Sequence, residues 1–105
     1  MKTITVAELK AKQDANEDFQ LIDVREPYEI DICSLNGDAM PMGEIINRVD
    51  EISKDKTVII HCRSGKRSAA VIEALERNHG FENLYNLTGG ILAYAAEIDT
   101  SLEQY

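Results

Sequence analysis

The sequence has few of the features that mark several large classes of protein. It contains only two cysteines, Cys33 and Cys62, and they lack the Cys-x-x-Cys spacing of zinc ribbons and thioredoxin-like sites. Two cysteines are too few for a disulfide scaffold, so a reducing, cytoplasmic setting is expected. The longest apolar runs are only a few residues, as at 91–96, too short for a signal peptide or a membrane span. We therefore expect neither secretion nor membrane insertion.

Positive charge is also scarce. The 105 residues include 11 Lys and Arg against 19 Asp and Glu, a formal net charge of −8. Nucleic acids and anionic membranes would repel such a chain, so neither is expected as a partner. With two prolines, six glycines and no low-complexity linker or repeat, the sequence predicts one domain over 1–105. Its hydrophobic content of 44% is sufficient for a core.

Short apolar runs alternate with segments of helical period, a pattern that predicts an α/β fold with a parallel sheet. The predicted strands are 3–5, 19–24, 39–42, 57–62 and 84–87. A short first helix should begin at a capping box formed by Thr5 and Glu8. Three further helices are predicted at 45–52, 68–79 and 91–98. The helix over 45–52 should bury one face made of Ile45, Ile46, Val49 and Ile52. The run 57–62 is β-branched and apolar without alternation, which predicts a central strand covered on both faces.

The loop after this central strand carries the candidate chemistry. Ligands of open parallel sheets bind beyond the carboxyl ends of the strands, and here that end delivers Cys62, then Arg63, Ser64, Gly65, Lys66, Arg67 and Ser68. Three cationic residues within seven positions of an acidic chain predict a local positive site that faces an anion. These cations and the positive end of the following helix should stabilise a thiolate at Cys62. Cys62 is therefore the candidate nucleophile.

The remaining residues of the loop suit the same purpose. Gly65 allows the backbone to turn tightly, so that successive amides converge on one atom or anion. The hydroxyls of Ser64 and Ser68 add further donors. The alternative is that Cys62 only ends a buried strand as a small core residue and that the basic side chains are solvated.

Three segments, in this order, resemble the rhodanese family of sulfurtransferases. They are LIDVREP at 21–27, HCRSGKRS at 61–68 and NLTGGI at 86–91. The resemblance implies a single rhodanese-like domain, with a mostly parallel five-stranded sheet flanked by helices on both faces. It also implies that Cys62 accepts a sulfane sulfur from thiosulfate or a persulfide and passes it to a nucleophile. No metal or organic cofactor is then required.

One segment departs from the common family pattern. Where the family commonly has Gly and His after its second strand, this chain has Cys33 and Ser34. With the closing stretch 89–105, this variant looks more like the rhodanese domains fused to adenylyltransferases of molybdopterin and thiamine biosynthesis. That resemblance implies a sulfur-carrier protein or a cysteine desulfurase as a partner.

Two other functions compete with sulfur transfer. Cysteine phosphatases and arsenate reductases share the strand-loop-helix plan, but phosphatases need an arginine six positions after the cysteine to hold phosphate with two parallel bonds. That position is Ser68 here, and Arg67 comes one residue too early. The third alternative is a non-catalytic rhodanese-like interaction module, although inactive members usually lack the cysteine that this chain retains.

Asp23 and Arg25, at the end of the second predicted strand, are supporting residues by the same resemblance. Asp23 is expected to orient the loop through a charged contact, with Arg67 as the candidate partner. Arg25 is expected to tie neighbouring loops together. A structural role is expected for both.

Four further residues have a candidate role near the loop. His61 precedes the nucleophile, but strand alternation points it away from the Cys62 side chain, so it should be a core residue rather than a general base. Gly89 and Gly90 are predicted to be turn residues that line the pocket. Cys33 is a candidate resolving thiol that would form a disulfide with Cys62, against the simpler alternative of a small packing residue.

Overall fold

A parallel sheet of five strands, in the order β1-β5-β4-β2-β3, organises the computed structural model, which describes residues 1–105. The strands are β1 (Lys2–Ile4), β2 (Phe19–Asp23), β3 (Asp38–Ala39), β4 (Thr57–His61) and β5 (Leu84–Leu87). Every neighbouring pair is parallel. The predicted α/β class is therefore confirmed, and the apolar run that ends before Cys62 is the central strand β4.

Three α-helices and one 3₁₀ segment connect the strands, and a fourth α-helix follows the last strand. They are α1 (Val6–Asp14), α2 (Pro27–Ile32), the 3₁₀ segment Ile45–Glu51, α3 (Lys66–His79) and α4 (Gly90–Glu97). The predicted capping box is present: the amide of Glu8 donates to the Thr5 hydroxyl, and the amide of Thr5 donates to the Glu8 carboxylate. None of the helices combines the length and hydropathy that crossing a bilayer requires.

Alternation along β4 divides the core into two layers. Ile60 packs in a cluster of 13 buried residues that includes Leu75 of α3, and Cys62 belongs to the same layer. Ile59 packs in a second cluster, with Leu9 of α1 and Tyr94 of α4. Because successive strand residues face opposite sides of a sheet, helices cover both faces and Cys62 lies on the α3 side.

The segment 45–52 differs from the predicted amphipathic helix. It is a 3₁₀ segment interrupted at Arg48, whose backbone lies at φ −123° and ψ 25°. Ile45 and Ile52 are buried, but Ile46 is 43% exposed, so its assignment to the buried face was wrong. An α-helical period would place Ile46 on the same face as Ile45 and Ile52. A 3₁₀ segment has three residues per turn, and this tighter winding rotates Ile46 towards solvent.

Two differences concern the helices near the site. The helix predicted to begin at Ser68 begins at Lys66, so its first turn is part of the loop. Helix α2 was not predicted, although Pro27 occupies one of its first positions, where proline is favoured. Its six residues are too few for a helical period to be detected.

Candidate active site

The thiol of Cys62 lies where β4 passes into α3, in the active loop (residues 62–68). Gly65 caps the helix at φ +103°, a left-handed conformation that favours glycine. This turn places the Gly65 amide 3.1 Å and the Ser68 amide 3.4 Å from the Cys62 sulfur. No side chain caps α3, so amides that a helix start leaves unpaired donate to the sulfur instead.

The surroundings of Cys62 favour its ionised form. Burial of this residue, which is 1% exposed, by itself raises the pKa of the thiol. Hydrogen bonds from the hydroxyl and amide of Ser68 and from the amides of Gly65 and Ser64 outweigh that effect and lower the pKa below its ordinary value. The arrangement supports a thiolate nucleophile surrounded by fixed donors.

Ser68 connects the sulfur to strand β5. Its fully buried hydroxyl lies 3.4 Å from the Cys62 sulfur and 2.6 Å from Oδ1 of Asn86. The Asn86 side-chain amide donates to the Gly65 carbonyl at 3.0 Å, so its oxygen is left to accept from Ser68. Ser68 thus donates to Asn86, and across the 3.4 Å contact with the Cys62 sulfur either atom can be the donor. No role was predicted for Asn86. The sequence signal that could have indicated one is a polar residue within an otherwise apolar strand.

Helix α4 holds the beginning of the loop. The amide of Ile91 donates to the Cys62 carbonyl at 3.0 Å, and that of Leu92 donates to the Arg63 carbonyl at 3.1 Å. Gly90 lies so close that an added Cβ would be 2.7 Å from the Cys62 carbonyl oxygen and closer still to that of Arg63. The pair Gly89 and Gly90 therefore contacts the loop through the backbone.

The charged partner of Arg67 is Glu29, not Asp23. The two guanidinium nitrogens of Arg67 donate to the two carboxylate oxygens of Glu29 at 2.7 and 2.8 Å. Arg67 above all, together with the Tyr105 hydroxyl, lowers the pKa of Glu29 to about 2 against the opposing effect of burial. The predicted contact between Asp23 and Arg67 was wrong, and the acid that replaces Asp23 comes from the unpredicted helix α2.

Asp23 pairs with Arg25 instead. The Arg25 guanidinium donates to the Asp23 carboxylate at 2.7 and 3.0 Å, and both side chains are buried. Arg25 also donates to the main-chain carbonyls of Glu29 at 3.3 Å and Cys33 at 2.8 Å. It thereby connects the end of β2 to both ends of the segment 29–33.

The three cations of the active loop have different surroundings. Arg67 is paired with Glu29, whereas Arg63 and Lys66 are exposed and form no ion pair within 4.0 Å. The donors that lower the pKa of Cys62 are loop amides and the Ser68 hydroxyl. The predicted grouping of all three cations around one anion was therefore too simple, and Arg63 and Lys66 are the two that remain available.

His61 and Cys33 form no hydrogen bond with the Cys62 sulfur. His61 is fully buried, and burial lowers its pKa, which favours the neutral ring. Its Nδ1 is 3.4 Å from the Cys62 carbonyl, and its Nε2 has no hydrogen bond and lies 3.6 Å from Asp23. Cys33 is a buried free thiol 4.0 Å from the Arg25 guanidinium, and a relay to Cys62 stays a prediction.

No group of three or more His, Cys, Asp or Glu side chains is arranged to hold a metal ion. The fold and the active loop define an α/β domain with a cysteine nucleophile at the carboxyl edge of its central strand. The model of the rhodanese-like domain family matches residues 5–97. The chain belongs to that family, which confirms the resemblance of its three motifs.

Relatives of similar and of greater length share this domain. The chain is 37% identical to the putative sulfurtransferase YtwF of Bacillus subtilis, over 92% of this chain and 93% of that protein. It is 34% identical to the probable adenylyltransferase/sulfurtransferase MoeZ of Mycobacterium tuberculosis, but spans only 27% of that protein's length. The crystal structure of a rhodanese-like domain protein from Staphylococcus aureus is 34% identical, with a TM-score of 0.82 over 100% of this chain and 99% of that one.

Proposed function

We propose that this protein is a cytoplasmic sulfurtransferase that carries a sulfane sulfur as a persulfide on Cys62. The observation that carries the proposal is the pair of amides, from Gly65 and Ser68, that donate to the Cys62 sulfur at the start of α3. Amides fixed in this way can stabilise negative charge on a sulfur atom without rearrangement. The names of the similar proteins YtwF and MoeZ, both called sulfurtransferases, support the same activity.

The first step is attack of the Cys62 thiolate on the outer sulfur of thiosulfate. A new S–S bond forms to Cys62, the S–S bond of the donor breaks, and sulfite leaves with the bonding electron pair. A small persulfide donor reacts in the same way, with its thiolate as the leaving group. We assign binding of the donor's oxyanion end to Arg63 and Lys66, an assignment supported by their exposure and charge.

The second step transfers the sulfur. A nucleophilic acceptor attacks the outer sulfur of the persulfide, and the Cys62 thiolate leaves, stabilised by the same loop amides. The chain requires no cofactor for either step. We propose a sulfur-carrier protein as the acceptor or a cysteine desulfurase as the donor; of the two, the carrier protein is the one that the name of MoeZ, an adenylyltransferase/sulfurtransferase, supports.

The geometry favours sulfur over phosphate. A phosphatase loop needs an arginine free to bind two phosphate oxygens, and Arg67 instead binds both oxygens of Glu29. The position six residues after the cysteine is Ser68, whose hydroxyl bonds Asn86. A non-catalytic interaction module would not need a thiol whose pKa is lowered by several hydrogen-bond donors.

Intact mass spectrometry after incubation with thiosulfate tests the proposal. Wild-type protein should gain the mass of one sulfur atom, and cyanide should remove it with release of thiocyanate. Cys62→Ser should neither gain sulfur nor turn over. Cys33→Ser is the matched control, because it removes the other buried thiol and should still gain sulfur.

Each outcome has a distinct meaning. Turnover by Cys62→Ser, or loading that depends on Cys33, would overturn the mechanism. Hydrolysis of a simple aryl phosphate by the wild-type protein, without sulfur loading, would establish the phosphatase alternative. Peptide mapping after oxidation tests the relay separately, since a Cys33–Cys62 disulfide is its necessary product.

A further inference from the structure

The segment 103–105 is held to the domain by one side chain. Its residues form no hydrogen bond between main-chain groups, and Glu103 and Gln104 are exposed. Tyr105 is half-buried, and its hydroxyl accepts from the Arg25 guanidinium at 3.0 Å and donates to the Glu29 carboxylate at 2.7 Å. Tyr105 is therefore anchored on residues that support the active loop.

The ring of Tyr105 contacts the active loop directly. The guanidinium carbon of Arg63 lies over the ring, 4.9 Å from its centroid. This distance is within the range of a cation–π contact. Because a cation–π contact does not occupy the N–H donors of the guanidinium, they remain free to bind another group.

Arg63 is the loop cation best suited to bind the donor's oxyanion. It follows the nucleophile Cys62 directly, and its carbonyl is fixed by the amide of Leu92. It forms no ion pair, unlike Arg67, and its planar fork matches two oxygens of one anion, unlike the point charge of Lys66. The Tyr105 ring is the partner that lies against its guanidinium.

We propose that Tyr105 is a positioning residue that orients the Arg63 guanidinium to bind the oxyanion end of the sulfur donor. The anchor on Arg25 and Glu29 fixes the ring, and the ring fixes Arg63. This inference rests on the proposed sulfurtransferase function. It assigns a donor class, since the benefit of an oriented guanidinium is greatest for a donor whose leaving group carries two negative charges.

Two sulfur donors distinguish the orientation of Arg63 by Tyr105 from a general stabilisation of the fold. Thiosulfate is a dianion and releases sulfite, whereas methanethiosulfonate is a monoanion and releases methanesulfinate, with the same transfer of one sulfur to Cys62. Tyr105→Leu should lower kcat/KM for thiosulfate by about two- to fivefold, the range of one exposed cation–π contact. The loss should fall mainly on KM and should be smaller for methanethiosulfonate. Tyr105→Phe keeps the ring but removes the hydroxyl that anchors it to Arg25 and Glu29, so it should lose part of the preference for thiosulfate and less of it than Tyr105→Leu.

A double-mutant cycle with Arg63→Gln completes the test. If Tyr105 acts through Arg63, Tyr105→Leu should cause no further loss in the Arg63→Gln background. Equal losses for both donors, or a loss that persists without Arg63, would overturn the inference and assign Tyr105 to stabilising Glu29 and Arg67. Failure of the wild-type protein to accept sulfur from either donor would instead defeat the proposed function itself.

Discussion

Helices α3 and α4 begin in the same way at the same edge of the sheet. Each follows a glycine in the left-handed conformation, Gly65 at φ +103° and Gly89 at φ +77°, and neither start has a side-chain cap. Each therefore presents unpaired amides and the positive end of a helix dipole beside Cys62. The two starts differ in what receives those amides.

The amides at the start of α4 bind carbonyl groups, those of Cys62 and Arg63. The amides around the start of α3, from Gly65 and Ser68, point to the Cys62 sulfur. The start of α4 therefore holds the backbone of the loop, and the start of α3 donates hydrogen bonds that stabilise negative charge on the sulfur. In this site, the amides of α4 bond the loop carbonyls, and the amides at the start of α3 remain for the sulfur.

The first turn of α3 also contains charges of the unfavourable sign. Lys66 and Arg67 are cations at the positive end of a helix dipole. The Glu29 carboxylate offsets this at Arg67, and Lys66 remains in solvent. The site thus keeps a positive character without leaving a partly buried cation unpaired.

Gly90→Ala should have the largest effect, because it breaks the helix start that holds the loop. The added methyl group would overlap the carbonyls of Cys62 and Arg63, at a position whose φ of +59° already disfavours alanine. We expect a loss of about 2 to 4 kcal/mol in the free energy of unfolding, from overpacking plus left-handed strain. Urea titration measures this loss, and sulfur loading of Cys62 should fall with it.

Gly80→Ala is the matched control for steric overlap. Gly80 is also left-handed, at φ +68°, but a Cβ there would meet nothing within 4 Å. The free energy of unfolding should therefore fall by only about 1 kcal/mol, the cost of the left-handed backbone. Equal losses at Gly80 and Gly90 would mean that the contact between α4 and the loop contributes little.

The local parts of this arrangement could be predicted from the sequence. The β-branched run before Cys62 and the glycine after it are signals within a few residues, and both the central strand and the turn follow from them. The supporting contacts could not be predicted in the same way. Glu29 and Arg67 are 38 residues apart, and Tyr105 is 76 residues from Glu29, so their pairing depends on strand order rather than on any local pattern.

Glu29→Gln should have the next largest effect, since it removes the acid that offsets a cation at the start of α3. The pKa of Glu29 falls from an ordinary 4.5 to about 2, mainly through Arg67. A lowered pKa stabilises the folded state above about pH 4.5, and this stabilisation is lost as the pH falls towards about 2. Glu29→Gln should cost about 2 to 3 kcal/mol at neutral pH and flatten the unfolding profile across that window.

Glu51→Gln provides the comparison for the pH profile. Glu51 also pairs with an arginine, Arg48, but the pair is exposed and should contribute little to folding. The free energy of unfolding should therefore still fall with pH below about 4.5, the acid limb of the profile, in this variant. An unchanged acid limb in Glu29→Gln would show that another carboxylate is responsible for it.

Ser68→Ala should have the smallest of these effects and tests the donors around the sulfur. The Ser68 hydroxyl lies between the Cys62 sulfur and Asn86, and as a donor to the sulfur it helps to lower the pKa of the thiol. Its removal should raise that pKa and slow alkylation of Cys62 at neutral pH about three- to tenfold, the value of one ordinary intramolecular hydrogen bond. The measurement is the pH dependence of alkylation in a Cys33→Ser background.

Ser64→Ala is the matched control, because the Ser64 hydroxyl forms no hydrogen bond while its amide, which the substitution keeps, helps to lower the same pKa. The alkylation midpoint should therefore stay in place for Ser64→Ala and rise for Ser68→Ala. A midpoint that falls in Ser68→Ala would mean that the Ser68 hydroxyl donates only to Asn86 and that the serine oxygen repels the thiolate. In that case the main-chain amides at the start of α3 would account for the whole lowering of the Cys62 pKa.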